Sequence, residues 1–480
     1  MSQRIQDFAW HCADLLQRED PDLYALVSGE LERQTTTLAM VASCSIAHPS
    51  VLACEGTFTS NVTAEGYPGK RFHAGCEYVD QFEQLAIDRA KVAFGARYAN
   101  VQPHSASTAN QIVMGALLKP GDTLLGLSLD AGGHLSHGSP VNVSGQFFNA
   151  IGYGLDTDGF IDFDRTRELA REHNPKLIIC GTTAYPRRID WSRFRDIADE
   201  VGAYLLADIT HIAGLVIAGE HPNPIDDAHV TVTCTHKQLY GPRGGLILIG
   251  KDFDSPGPGG KGTLAQAMQR GVFPFMQGAP LINNIVAKAR ALHRAMTPEF
   301  REVSRRIVAL SQALADEMVR RDVRIVSGGT DNHIVLADVL HSFGVTGLVA
   351  EKALESCRIV VNKNHIFGDR KSPLVTSGIR IGANALAARG FDTQAMRRTA
   401  DLMCRILAAV EPEGDRAYRL DGSLRARFQA EVKALCREFP IPGYDPLPQG
   451  MGHNAPGRTA PARSAAPAGA QAAGIPAHEQ

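Results

Sequence analysis

Short apolar runs alternate with amphipathic stretches over most of the first 290 residues of the chain. The runs that predict strands are, in chain order, 123–129, 176–180, 203–209, 230–235 and 245–249. Strands that alternate with helices usually form a parallel sheet with helices on both faces. Residues 38–290 are therefore predicted to form a large α/β domain with a mostly parallel sheet. Ligands of such sheets bind at the carboxyl ends of the strands.

The pattern changes near residue 290. A single helix predicted over residues 285–315 leads to two strand-like runs, 324–327 and 333–339, and helices follow. This order predicts a smaller α+β domain over residues 291–440.

The two ends of the chain differ from this pattern. Residues 1–37 form a polar, amphipathic stretch that predicts a helical arm. Residues 441–480 are rich in Pro, Ala, Gly and Gln, and have too few large apolar side chains to offset the entropy of ordering. We expect this tail to be disordered.

Composition narrows the class of protein. The 480 residues are 44% hydrophobic and 21% charged, with a formal net charge of −2, and Lys and Arg form no long runs that would favour nucleic acid. The N-terminus is too polar for a signal peptide, and no apolar run reaches membrane-spanning length, so we expect a cytoplasmic protein.

Nine scattered cysteines favour reduced thiols. His104, His134 and His137 lack the carboxylate or Cys neighbours of a metal site, so no metal is predicted.

The segment 230–249 has the sequence VTVTCTHKQLYGPRGGLILI and gives the strongest chemical signal. Its Val/Thr run places Thr235, His236 and Lys237 at a strand end, and a Gly/Pro-rich turn leads into a second strand. A lysine there, partly removed from water, loses its proton more easily and can form a Schiff base with an aldehyde. Pyridoxal phosphate is the aldehyde that this chemistry suggests. The alternative is an ordinary surface lysine at a hairpin.

The neighbours of Lys237 favour the cofactor. The string THKQLYGPRGG resembles the segment THKxLxGPRGG of serine hydroxymethyltransferases, and the similarity covers most of residues 38–407. The resemblance implies fold type I, as in aspartate aminotransferase, a homodimer or homotetramer, and hydroxymethyl transfer between a small amino acid and tetrahydrofolate. In this family the N-terminal helical segment packs against the partner subunit.

The resemblance also implies which residues hold the cofactor. They are Ser105, Ala106, Ser107, His134, Thr183, Asp208, His211, His236, Lys237, Gln277 and Gly278, the last two from a neighbouring subunit. Asp208, in DITHIAGL, pairs with the pyridine nitrogen, because a protonated ring accepts electrons from the substrate. Taken alone, an Asp after a strand is more often a turn or helix cap. Ala106 replaces a family glycine and fits only with a negative φ.

Catalytic and substrate-binding residues follow from the same comparison. The implied catalytic set is Lys237, Glu65, Asp208 and His134, and the implied substrate set is Ser43, Thr63 and Arg380. Arg380, in TSGIRIG, suits a bidentate carboxylate contact, with Arg243 as the alternative cation. Glu65, in AEGYPGKR, matches an acid–base residue that reaches across the dimer interface, although a Glu in a Gly/Pro loop is usually solvated.

Several positions depart from the family pattern. Thr63 stands where a tyrosine packs near the substrate Cα, Phe72 and His73 replace two tyrosines, and the usual SENF reads SCSI. Loss of the tyrosine ring opens space beside the Cα, which an α-methyl group would fill. We therefore expect the α-methylserine (2-methylserine) hydroxymethyltransferase branch, which converts α-methyl-L-serine to D-alanine. A serine/glycine hydroxymethyltransferase, a folate-independent α-methylserine aldolase and a non-enzymatic binding protein are the alternatives.

Folate contacts are implied by resemblance as well. They are Glu65, Phe72, Leu129, Gly133, Leu135 and Asn364. Phe72 keeps an aromatic face for the p-aminobenzoate ring. These residues favour tetrahydrofolate as the one-carbon carrier, whereas the aldolase alternative would release free formaldehyde.

Overall fold

The structure, a computed structural model, describes residues 2–444. Its helices are α1 Ser2–Glu19, α2 Pro21–Thr35, α3 Pro49–Glu55, α4 Glu77–Phe94, α5 Ala106–Leu117, α6 Val143–Phe147, α7 Phe163–His173, α8 Trp191–Val201, α9 Ala213–Ala218, α10 Leu264–Arg270, α11 Ile282–Ala295, α12 Pro298–Val319, α13 Val339–Phe343, α14 Gly347–Ser356, α15 Asn384–Ala388, α16 Thr393–Ala408 and α17 Gly422–Glu438. The predicted disordered tail lies outside the described residues from position 445 onward.

The strands form one large sheet and several smaller ones. They are β1 Leu38–Ala39, β2 Gly66–Tyr67, β3 Lys70–Arg71, β4 Tyr98–Asn100, β5 Thr123–Leu127, β6 Asn149–Tyr153, β7 Leu177–Gly181, β8 Tyr204–Asp208, β9 Val230–Cys234, β10 Gly245–Ile249, β11 Arg324–Ile325, β12 Ile334–Asp338, β13 Ile359–Val360, β14 Asn362–Asn364, β15 Gly378–Gly382, β16 Glu411–Glu413 and β17 Ala417–Arg419. The five strands predicted between residues 123 and 249 are confirmed, with ends that differ by no more than two residues.

The large sheet has seven strands in the order β4-β10-β9-β8-β7-β5-β6. Strands β6, β5, β7, β8 and β9 pair in parallel, and β10 is antiparallel to both β9 and β4. The predicted mostly parallel sheet is therefore confirmed. The carboxyl ends of its parallel strands share one edge, and the reversed strand β10 begins at that edge.

Helices cover both faces of this sheet because successive side chains of a strand point in opposite directions. Leu124 of β5 packs in a core with Leu177 and Ile112 of α5. Its neighbour Leu125 packs on the other face with Phe194 of α8. Burial on both faces explains why these strands are continuous apolar runs in the sequence.

A second core surrounds the four-stranded antiparallel sheet β11-β12-β15-β14. Ile379 of β15 packs there with Leu314 of α12, Leu354 of α14 and Leu402 of α16. This is the α+β arrangement that the sequence predicts after residue 290. The division of the chain into domains stays a prediction.

The prediction of a single helix over residues 285–315 is wrong, because the structure contains two helices there. Helix α11 ends at Ala295 and α12 begins at Pro298. Proline is well suited to the first turn of a helix, where its missing N–H is not needed. Thr297 caps α12, with its Oγ1 accepting a hydrogen bond from the Phe300 N–H at 3.3 Å. The apolar periodicity continues across this break and conceals it.

The predicted N-terminal arm is helical and consists of α1 and α2. Several of its large apolar side chains are exposed in the single chain, including Trp10 at 59% and Leu26 at 72%. Within residues 2–444, no helix combines the length and the apolar character that crossing a membrane requires.

Candidate active site

A cavity of about 540 Å³ lies where the parallel strands of the large sheet end. The predicted residues that line it are Ser43, Ser105, Ala106, Ser107, His134, Thr183, Asp208, His211, His236 and Lys237. They come from loops after β4, β5, β7, β8 and β9, and from the segment after β1. Sheet topology therefore gathers side chains that are far apart in the sequence.

Lys237 follows β9, and its Nζ lies 2.8 Å from Nε2 of His211. Burial lowers the pKa of Lys237 below its usual value, and burial also lowers the pKa of His211 well below its own. No carboxylate contacts the Lys237 amine among the described residues. The neutral amine that nucleophilic attack on an aldehyde requires is thus favoured here.

Asp208, the last residue of β8, accepts three hydrogen bonds. Its Oδ2 lies 2.8 Å from Nδ2 of Asn110 and 3.0 Å from Nε2 of His137, and its Oδ1 accepts from the Thr210 N–H at 3.0 Å. Nδ1 of His137 accepts from the His134 N–H at 3.3 Å, so the His137 proton lies on Nε2 and points to Asp208. Burial alone would raise the pKa of Asp208, but these bonds hold it well below its usual range. A stable buried carboxylate results.

The N-terminus of α5 presents the residues predicted to bind phosphate. Ser105 is the N-cap, and its Oγ accepts a hydrogen bond from the Thr108 N–H at 3.0 Å. Ala106 begins the helix and is not among the residues with positive φ, so its methyl group fits where the family has glycine. Free N–H groups and the helix dipole favour an anion at this position.

His134 and Thr183 border the cavity from the loops after β5 and β7. Burial lowers the pKa of His134 to about 4, so the ring is neutral at physiological pH. Its Nδ1 accepts a hydrogen bond from the Ser136 N–H at 3.2 Å. The Thr183 hydroxyl donates to the carbonyl oxygens of Gly132 and Gly133, at 3.2 and 3.0 Å, and so ties the two loops together.

Arg380 reaches the same region from β15. Its Nε donates to Oδ1 of Asn362 at 3.1 Å, and its Nη1 donates to the carbonyl oxygen of Thr183. These two bonds fix the plane of the guanidinium group and leave Nη2 for a ligand. Burial lowers the pKa of Arg380 to about 10, so it keeps its charge at neutral pH. Arg243, the alternative cation, lines the cavity but has an exposed side chain.

Apart from four folate residues described below, six predicted site residues do not line the cavity of this chain: Thr63, Glu65, Phe72, Gln277, Gly278 and Arg380. Glu65 lies 3.6 Å from Nε2 of His73, and Phe72 is 74% exposed. The Gln277 side chain is used within the chain, since Oε1 accepts from the His104 N–H and Nε2 donates to the Gln102 carbonyl, both at 3.1 Å. The single chain therefore forms only part of the predicted site.

The predicted folate residues also lie beyond the cavity lining. Leu129 and Leu135 are about half exposed on the loop that carries His134. Gly133 of that loop has no room for a side chain, because a Cβ there would lie 1.9 Å from the Leu127 carbonyl oxygen. Asn364 lies on β14, and its Nδ2 donates to the His365 carbonyl at 2.6 Å.

Sequence reasoning missed Asn110, His137 and Asn362, which hold Asp208 and Arg380 in place. The HxxH spacing of His134 and His137 drew attention only as a possible metal site, and no metal-binding cluster of side chains occurs within residues 2–444. Asn110 follows Ser107 by three residues, which places both on one face of α5. That spacing is the signal that could have identified it.

The cavity fits pyridoxal phosphate. Several buried polar atoms that border it have no hydrogen-bond partner in the described part of the chain: Oδ1 of Asn110, Oγ1 of Thr210, Nδ1 of His211 and Nδ1 of His236. Such atoms are rare unless a ligand or water satisfies them. Together with the amine of Lys237 and the carboxylate of Asp208, they place the chain among fold type I pyridoxal-phosphate enzymes.

Comparison with known proteins gives the family. The family model for serine hydroxymethyltransferase matches residues 16–403. The chain is 47% identical over 429 residues to "Serine hydroxymethyltransferase" of Paracoccus denitrificans (strain Pd 1222), covering 89% of this chain and 97% of that protein. It is 48% identical over 424 residues to the protein of the same name from Halorhodospira halophila (strain DSM 244 / SL1), covering 88% and 97%.

The chain therefore belongs to the serine hydroxymethyltransferase family. It is a pyridoxal-phosphate-dependent hydroxymethyltransferase, and tetrahydrofolate is the family's cosubstrate.

Proposed function

We propose that the enzyme transfers the hydroxymethyl group of L-serine to tetrahydrofolate and releases glycine. The observation that carries this proposal is the position of Lys237 and Asp208 on one cavity at the edge of the large sheet, with Arg380 bonded to the carbonyl oxygen of Thr183 in the cavity wall. Both relatives named above bear the name serine hydroxymethyltransferase and are matched over nearly their whole length.

Each of these residues has a distinct task. Arg380 binds the carboxylate of the amino acid through the face that its bonds to Asn362 and Thr183 leave free. Lys237 holds the cofactor aldehyde, and Asp208 keeps a proton on the pyridine nitrogen by remaining ionised. When bound, the cofactor accepts the electron pair released as the bond from Cα to the hydroxymethyl carbon breaks.

One residue favours a second candidate, the conversion of α-methyl-L-serine to D-alanine. Thr63 replaces the tyrosine that the family pattern has near the substrate Cα, and its small side chain leaves room for an α-methyl group. If cleavage keeps the family's geometry and a methyl group replaces the α-hydrogen, protonation of Cα gives D-alanine.

The proposal includes a homodimer, or a homotetramer built from it, in which each active site is shared. Thr63 and Phe72 are exposed in the single chain, and Glu65 is half-exposed. These residues would complete the cavity of a second copy. The exposed apolar side chains of α1 and α2 and the 62% exposure of Phe275 supply apolar surface for such contact.

A substrate comparison tests both candidates. L-Serine and α-methyl-L-serine are incubated separately with the holoenzyme, with and without tetrahydrofolate, and glycine and D-alanine are measured. Folate-dependent glycine formation from L-serine supports the main proposal. Folate-dependent D-alanine formation with little serine turnover supports the second candidate, and equal D-alanine rates without folate identify an aldolase.

The variant Thr63→Tyr separates the two substrates at a single position. If Thr63 accommodates an α-methyl group, this substitution reduces turnover of α-methyl-L-serine more than turnover of L-serine. A protein that forms neither product and binds no pyridoxal phosphate would refute both candidates.

A further inference from the structure

Lys288 on α11 is a buried cation that the site described above does not use. Its side chain is 2% exposed, and its Nζ donates to three backbone carbonyl oxygens: Val101 at 2.6 Å, Pro103 at 3.0 Å and Gly245 at 3.0 Å. Lysine is almost never fully buried without partners. The three N–H donors of the ammonium group match these three acceptors in number.

The three carbonyl groups belong to the two chain segments that hold the cofactor. Val101 and Pro103 follow β4 and lead directly to Ser105, the N-cap at the phosphate site. Gly245 begins β10 at the end of the loop that follows Lys237. The Gly245 N–H also donates to the Pro103 carbonyl at 2.8 Å. Lys288 therefore lies beneath the phosphate site and joins its two sides.

The double glycine of GPRGG has a physical explanation in this contact. A Cβ on Gly244 would lie 2.2 Å from Cε of Lys288, and a Cβ on Gly245 would lie 2.4 Å from the Ser105 carbonyl oxygen. The Ser105 backbone leaves no room for a Cβ on Gly245, and a Cβ on Gly244 would require the end of the Lys288 side chain to shift. The first glycine makes room for Lys288, and the second lets the start of α5 approach β10.

We propose that Lys288 is a positioning residue for the cofactor phosphate, because its ammonium group holds the segment before α5 against the loop that follows Lys237. It acts through the placement of Ser105, Ala106 and Ser107 and does not touch the phosphate itself. Lys288 thus affects the binding of the cofactor's phosphate group and not the binding of its aldehyde group, which Lys237 holds.

Burial and charged neighbours together determine the protonation of Lys288. Burial lowers its pKa to about 7, and the carboxylate of Glu83 on α4 opposes that shift. Glu83 itself is bonded to Arg71 and Gln102, at 2.6 and 2.8 Å. On the phosphate side, burial and then the charge of Lys288 lower the pKa of His104. A neutral Lys288 has only two N–H donors, so it would lose one of its three bonds to these carbonyl groups.

The test compares two forms of the cofactor that differ only in the phosphate. Dissociation constants of pyridoxal phosphate and of pyridoxal are measured for the apoenzyme and for the apo form of Lys288→Met, by titration of the cofactor absorbance at pH 7. Because charge-assisted hydrogen bonds are lost, we expect pyridoxal phosphate to bind about tenfold more weakly to the variant. Pyridoxal binding should change much less.

Two outcomes would overturn the proposal: equal weakening of both ligands, which indicates a general packing defect, or no weakening of either. The matched control is Lys119→Met, which removes an exposed lysine near the end of α5 and should leave the ratio of the two constants unchanged.

If Lys288→Met does not fold, as judged by circular dichroism, the same two dissociation constants are measured for the unmodified apoenzyme as a function of pH. Above pH 7 the phosphate is largely doubly ionised, because the second pKa of a phosphate monoester is about 6, so a change with pH in the ratio of the two dissociation constants reports on the phosphate site. Between pH 7 and 8.5, loss of the Lys288 proton should reduce the preference for pyridoxal phosphate. His236, with a pKa lowered by burial to about 4, does not titrate in this range. A constant ratio would overturn the proposal.

Discussion

The hydrogen-bond partner of the Lys237 amine is a histidine, and the identity of this partner affects the protonation of the amine. A carboxylate at 2.8 Å would stabilise the ammonium form, whereas the imidazole of His211 at that distance is itself kept neutral by burial. His333 stacks on His211 with a ring separation of 5.7 Å and an angle of 21°, which holds the imidazole in place. The environment therefore favours a neutral amine over an ion pair.

The lowered pKa of Lys237 predicts the pH dependence of cofactor uptake. Because the neutral amine is the nucleophile, the rate at which the apoenzyme captures pyridoxal phosphate should rise with pH and level off below 10.5, the usual lysine value. Stopped-flow absorbance measures this rate, with Nα-acetyl-lysine as the reference amine. A rate that rises in parallel with the reference up to pH 10.5 would contradict the assigned environment.

Arg380 and Arg243 give opposite predictions for substrate binding. Arg380→Lys removes the planar fork that binds a carboxylate, and loss of a charged hydrogen bond raises the KM for the amino acid by roughly tenfold or more. Arg243→Lys should change KM by less than about threefold, because the Arg243 side chain is exposed and gains little from its contacts. Steady-state kinetics at saturating tetrahydrofolate measure both values. The reverse order would assign the carboxylate to Arg243.

At the scale of single elements, the start of α12 depends on one cap. Thr297→Ala removes the oxygen that accepts the Phe300 N–H, and such changes cost about 1 kcal/mol of folding free energy. We expect a lower melting temperature with an unchanged KM, because α12 does not line the cavity. Thr157→Ala, at an exposed loop position, is the control. Equal melting temperatures for both variants would show that Pro298 alone starts the helix.

Sequence patterns predict some elements well, for reasons visible in the structure. Strands β5, β7, β8 and β9 are buried on both faces, so each is a short apolar run between polar turns. The bond from His137 to Asp208 spans 71 residues and depends on how β5 and β8 are placed in the sheet. Local periodicity contains no information about that contact. The burial of Lys288 could not be predicted for a similar reason, since a lysine in an amphipathic helix normally lies on the solvent face.

At the scale of the whole molecule, the cavity of one chain lacks Glu65, which the resemblance to the family implies as an acid–base residue. The carboxylate of Glu65 contacts His73 and not the cavity of its own chain. A symmetric dimer would bring the same patch of each copy to the cavity of the other, because a twofold interface is reciprocal. In such a dimer, each complete active site would need residues of both chains.

Mixed dimers test this directly. Lys237→Ala and Glu65→Ala are each expected to be inactive, since removal of an acid–base group alone typically costs 10²–10⁴-fold in rate. If Glu65 acts on the partner's cavity, a dimer of the two variants contains one intact site and one site with both defects. Random mixing makes about half of the dimers mixed, so activity should return to about one quarter of the unmodified level.

The control pair is Lys237→Ala with Asp208→Asn. Both residues line the cavity of the same chain, so every site in their mixed dimer keeps one defect and no activity returns. Recovery with the control pair, or none with the Glu65 pair although tagged mixed dimers form, would place Glu65 outside a shared site.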